Sequence, residues 1–91
     1  MNKMRRKEIE ETMKELSVLA NKLAEVVDTI NRIYEDEEEY RDNVPENLQE
    51  SERYYASEEA SCSMEEALNY LDDLPEYIND AITCLSDARS N

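Results

Sequence analysis

The sequence predicts an all-α protein that folds as a long antiparallel helical hairpin of coiled-coil type. Three observations predict it. No glycine occurs in the 91 residues, apolar residues recur every three or four positions, and a proline marks one clear corner near the middle. Without glycine, turns that need a positive φ are hard to make, so a β-meander or a turn-rich mixed fold is disfavoured. Glu, Leu, Ala, Met, Lys and Arg dominate instead, and all are good helix formers. A chain of this length makes one domain, here residues 1–91, with a thin core.

A first helix is predicted from about 3 to 41, roughly 60 Å long at 1.5 Å per residue. Ile9, Met13, Leu16, Ala20, Leu23, Val27, Ile30 and Tyr34 follow one another at alternating steps of four and three. That spacing is a heptad seam facing a partner helix. Leu19, Val26, Ile33 and Tyr40 form a second stripe, each seven residues after the last. It widens the apolar face beyond what one partner helix covers, so it is a candidate dimer stripe.

The corner is predicted at 42–46. Pro45 disfavours helical geometry at Val44 and suits the first turn of a new helix. Asn43 and Glu46 have the spacing of a capping box. A second helix is predicted from about 46 to 89, with its seam at Ala56, Ala60, Met64, Ala67, Leu71, Leu74, Ile78, Ala81, Leu85 and Ala88. Leu68 and Ile82 widen that face, and Leu48 to Tyr55 fits the pattern less well. Asp73-Leu74-Pro75-Glu76 resembles the corner at Asn43-Val44-Pro45-Glu46, so Pro75 either kinks or breaks this helix. The apolar register continues through Pro75, which favours a kink. Two such hairpins would pair into a four-helix bundle.

The formal net charge is −14, from 24 acids against 10 bases. Lys3, Arg5, Arg6 and Lys7 put four positive charges into the first seven residues, which leaves −18 on the remainder. That remainder repels nucleic acid and anionic membranes and attracts a basic protein. No apolar run approaches the ~20 residues needed to span a bilayer, and no secretory segment is present. Cys62 and Cys84 would sit about 33 Å apart on one helix, too far for a disulfide. They read as reduced packing residues.

Catalysis has little to work with. Histidine is absent, so neither a triad of the usual kind nor a histidine–metal site can form. The absence of glycine removes phosphate-cradling loops. The reading is a non-enzyme with no cofactor and no metal. The densest acidic run is Glu35, Asp36, Glu37, Glu38 and Glu39, followed by Asp42. It lacks the glycine and ligand spacing of a calcium loop. Further pairs recur seven apart at Glu58 and Glu59, Glu65 and Glu66, and Asp72 and Asp73. After Pro45 only Arg53 and Arg89 are basic, against 12 acids. Such a ladder is either the solvated side of a helix or a field resembling that of a nucleic-acid backbone, able to steer onto a basic groove. The six tyrosines, at 34, 40, 54, 55, 70 and 77, suit half-buried packing or an interface.

One stretch has a pattern that periodicity does not explain. Asp36-Glu37-Glu38-Glu39-Tyr40, then Asn43-Val44-Pro45-Glu46-Asn47-Leu48-Gln49-Glu50-Ser51-Glu52-Arg53, then Met64-Glu65-Glu66-Ala67 resembles a group of short acidic proteins from phages and conjugative elements of Gram-positive bacteria. The resemblance spans about residues 35 to 71. Two departures are Tyr54, where members often have glycine, and Pro75 in a segment that usually lacks proline. The resemblance implies a mobile-element setting and no particular biochemical activity. Small acidic phage proteins are often inhibitors of host defence nucleases, including restriction and CRISPR effectors. By that analogy the expected partner is a basic, nucleic-acid-binding defence enzyme in the cytoplasm of a bacterial host, met by a homodimer that touches neither nucleic acid nor membrane.

Overall fold

A computed structural model describes all 91 residues, and every regular element in it is helical. Helix α1 runs Lys3–Asp42, a 3₁₀ turn covers Glu46–Leu48, α2 runs Glu52–Leu71 and α3 runs Leu74–Ser90. No backbone position has a positive φ, in keeping with a chain that lacks glycine. No helix is long and apolar enough to cross a membrane.

Helix α1 is continuous over 40 residues. Its start is capped by Asn2, whose side-chain oxygen accepts from the Arg5 amide at 2.8 Å. The seam expected on it is present. Ala20 is buried, and Ile9, Met13, Leu16, Leu23, Val27, Ile30 and Tyr34 are half-buried. The second stripe is not covered. Leu19, Val26, Ile33 and Tyr40 are 54, 40, 45 and 48 % exposed.

The corner differs from expectation. Helix α2 starts at Glu52, six residues after the predicted start at 46. Pro45 opens the 3₁₀ turn, and the Leu48 amide donates back to the Pro45 carbonyl at 2.9 Å. No side chain caps that turn, so the capping box expected between Asn43 and Glu46 does not form. The cap is Ser51, in extended conformation, whose hydroxyl accepts from the Tyr54 amide at 3.3 Å. The Ser51-Glu52-Arg53 motif is thus the true start of the second long helix.

Half of the predicted seam of the second half turns inward, at Met64, Leu71, Ile78, Leu85 and Ala88, and half does not. Ala56, Ala60, Ala67, Leu74 and Ala81 are exposed. The inward positions are Tyr54, Ser57, Ser61, Met64, Leu68 and Leu71 on α2, then Pro75, Ile78, Ile82, Leu85 and Ala88 on α3. The cause is size. Turning Leu68 and Ile82 inward removes more apolar area from water than turning the neighbouring alanines inward. Counting back from Leu68 at steps of four and three then places Ser61 and Ser57 inside.

At Pro75 the hydrogen-bond ladder breaks. Proline has no N–H, so the Leu71 carbonyl loses its partner four residues on. Helix α2 closes with the Asp72 amide donating to the Leu68 carbonyl at 2.8 Å, and α3 opens with Tyr77 donating to Asp73 at 3.1 Å. Both linking residues keep right-handed helical dihedrals, with φ and ψ of −57° and −38° at Asp72 and −89° and −11° at Asp73. Two helices replace one, while the inward register runs on through Leu71, Pro75 and Ile78.

The chain divides into two compact units. One is Met1–Glu25 with Asp73–Asn91, and the other is Val26–Asp72. In the first, the end of α3 lies beside the start of α1. The N-terminal ammonium is 3.5 Å from the Asn91 carbonyl, and Arg89 is 3.9 Å from Glu10. In the second, Arg41 meets Ser57 and Ser61 while Tyr34 meets Glu65, so α2 runs opposite to this part of α1. Apolar burial is thin: only Ala20 and Leu68 are buried among the hydrophobic residues. Cys62 and Cys84, expected as packing residues, are both exposed.

Candidate acidic interaction surface

The charge is concentrated in one unit. Val26–Asp72 contains 15 of the 24 acids and 3 of the 10 bases, a formal −12, whereas the other unit holds 9 acids and 7 bases, a formal −2. Eleven of the twelve acids singled out in the sequence belong to the acidic unit. Asp73 belongs to the other.

Glu35, Asp36, Glu39 and Asp42 project from α1 as exposed groups, and Glu37 and Glu38 are half-buried. Glu58, Glu59, Glu65 and Glu66 are exposed on α2, Asp72 is exposed just past its end, and Asp73 is exposed at the start of α3. Only two of the twelve have a basic group within ion-pair distance. Asp36 is 3.3 Å from Arg32, and Glu38 is 3.6 Å from Arg41. The first pair is exposed and adds little stability. The remaining acids have no basic group within ion-pair distance, so their field adds rather than cancels. No group of three or more acids or cysteines is placed to hold a metal ion.

Two acids from different helices converge on one hydroxyl. The Tyr34 hydroxyl is 2.7 Å from Glu38 Oε1 and 2.5 Å from Glu65 Oε1. A phenol has one proton, so it donates to one carboxylate at a time. The hydrogen bond to Glu65, and after it the one to Glu38, holds the Tyr34 hydroxyl well above the usual tyrosine range.

The most buried member of the ion pairs is a base. The Arg41 side chain is 15 % exposed. Its Nη1 donates to the Ser61 hydroxyl at 2.7 Å, the Ser57 carbonyl at 3.0 Å and the Ser57 hydroxyl at 3.1 Å. Ser57 and Ser61 are themselves buried. Arg41, Glu38, Tyr34 and Glu65 therefore form a continuous polar chain joining α1 to α2. Sequence reasoning passed over this network because it sought apolar seam residues. The signal was there: Arg41 stands seven residues after Tyr34, in the same heptad position, and is the only base between Arg32 and Arg53. An arginine in that register needs acceptors opposite, and serines supply them without steric cost.

The proposed dimer stripe divides between the units, with Val26, Ile33 and Tyr40 in the acidic one and Leu19 in the other. No family model, curated protein or solved structure matches this chain.

Proposed function

We propose that the chain is a non-enzymatic binding protein of a mobile element. It inhibits or regulates a host defence protein by occupying a basic nucleic-acid-binding surface in the cytoplasm of the bacterial cell. In this reading α1 and α2 act as a helical hairpin that carries closely spaced carboxylates in place of backbone phosphates. The observation that carries it is the −12 charge of Val26–Asp72, with ten of its eleven singled-out acids lacking a basic partner or sharing one at the surface. A mixed-sign helix would suffice for solubility. An unneutralised face raises the association rate with a basic partner and loses that advantage in salt.

The test is capture of the full chain's partner from a bacterial host lysate, followed by association kinetics across a salt series. Reversing Glu58, Glu59 and Glu66 to lysine should slow association about tenfold or more at low salt. Affinity insensitive to both reversal and salt would rule the mimicry out.

The exposed stripe of Val26, Ile33 and Tyr40 favours a second reading, a homo-oligomeric assembly module, in which two hairpins pair into a four-helix bundle. Changing Leu19, Val26 and Ile33 to serine would then convert a sedimenting dimer to monomer while charge reversal left it intact.

A further inference from the structure

Between the end of α1 and the start of α2 the acidic unit has an open cavity of about 480 Å³. Tyr40, Val44, Pro45, Leu48 and Tyr54 supply its apolar walls, and Arg53 is the one base on it. Leu48 is 50 % exposed and Tyr40 48 %, so the chain leaves this apolar surface unfilled. The cause is local. The 3₁₀ turn at Glu46–Leu48 and the late start of α2 at Ser51 and Glu52 hold the chain away from the end of α1. A helix starting at Glu46 would not leave this loop.

The rim is charged. Glu39, Asp42, Glu46, Glu50 and Glu52 are all exposed, and each adjoins a lining residue in sequence. Against them stand Arg53 on the wall and Arg41, which adjoins Tyr40 but is turned to Ser57 and Ser61, so these seven residues carry a formal −3. An apolar pocket whose flanking residues are mostly exposed acids has the layout of an interface anchor site, with a desolvated centre and a polar border. The rim repels acidic and nucleic-acid ligands. The faces of Tyr40 and Tyr54 add cation–π attraction for Lys or Arg.

We infer that the corner cavity binds a Lys/Arg-rich peptide segment of a protein partner by taking one of its large apolar side chains between Tyr40, Val44, Pro45, Leu48 and Tyr54. This rests on the reading of the acidic unit as a surface for a basic partner. It adds that recognition is not charge alone: a basic segment with a leucine-sized anchor is preferred over one without.

The experiment uses the full chain and two labelled 15-residue peptides of Lys, Arg and Ser that differ only at the centre, Leu in one and Ser in the other. Fluorescence anisotropy at low salt reads their affinities. The leucine peptide should bind about tenfold or more tightly, the scale set by burying one leucine side chain. Leu48→Asp, with helicity verified by circular dichroism, should bring that ratio close to one while both peptides still bind. Equal affinity of the two peptides for the unaltered chain would overturn the anchor and leave the acidic-face reading standing. Binding of neither peptide would overturn both. If the chain alone sediments as a dimer that Leu48→Asp dissociates, a second copy fills the cavity and the inference fails.

Discussion

The Arg41 guanidinium reaches across from α1 to the Ser61 hydroxyl on α2, 2.7 Å away. In a unit with 15 acids, this base is only 15 % exposed, against 43 % for its partner Glu38. The contact joins residues 20 apart in sequence and takes the place that apolar residues fill elsewhere along the seam.

Removing the arginine should cost more than removing the whole network. Arg41→Met leaves two buried serine hydroxyls without their donor and should destabilise the chain by about 1–3 kcal/mol in urea unfolding. Adding Ser57→Ala and Ser61→Ala to it should recover most of that loss, because an apolar layer has no unsatisfied groups. A triple variant no more stable than Arg41→Met would show that the network contributes through something other than satisfied hydrogen bonds.

Tyr34 should lose its proton late. Its hydrogen bonds to Glu65 and Glu38 raise the folded value above the ordinary one near 10. A raised folded value means that its stabilising contribution is complete below the unfolded value and is lost as pH rises through the folded one. The difference in absorbance at 295 nm between the native chain and Tyr34→Phe, followed through an alkaline titration, should have its midpoint above 10. A midpoint at the ordinary value would mean that neither carboxylate engages the hydroxyl in solution.

Ser51 should matter more than Asn43. Ser51→Ala removes the cap of α2 and should cost about 1 kcal/mol, within a range of roughly 0.5–2. Asn43→Ala removes no cap and should fall within about 0.5 kcal/mol of the unaltered chain. Thermal unfolding of both variants checks the order.

Pro75→Ala should change little. In the first turn of α3 the missing N–H is tolerated, and proline also restricts the unfolded chain, so stability should move by less than about 1 kcal/mol in either direction. A gain of about 3 kcal/mol would place Pro75 inside one continuous helix.

Salt should stabilise this chain. Like charges crowd Val26–Asp72, and the Debye length falls from about 30 Å at 0.01 M to about 10 Å at 0.1 M. The melting temperature should therefore rise over that interval. A fall would indicate that its few ion pairs outweigh the repulsion.

The heptad on α1 was legible because eight residues from Ile9 to Tyr34 mark it at unbroken steps of four and three, against four in the second stripe at Leu19, Val26, Ile33 and Tyr40. On α2 and α3 two stripes compete, alanines at 56, 60, 67 and 81 against Leu68 and Ile82. The larger side chains win, which takes Ser57 and Ser61 inward with them. Serine carries no apolar signal, so its burial depends on Arg41 arriving from another helix. The acids at 58, 59, 65, 66 and 72 were legible as exposed because an unpaired carboxylate cannot be buried cheaply. The meeting of Glu38 and Glu65 on Tyr34 was not, since nothing in local spacing relates residues 31 apart.

By itself, then, the sequence determined that this protein is helical, that its chain turns near Pro45 and that most of its acids stand in solvent. Those properties follow from periodicity, propensity and the cost of burying charge, all of which act over a few residues. The tertiary structure decided which face of the second half turns inward, where Arg41 finds its acceptors and that the −14 divides as −12 and −2 between two units. Each depends on which residues meet across helices, and only packing can choose between two faces of nearly equal pattern.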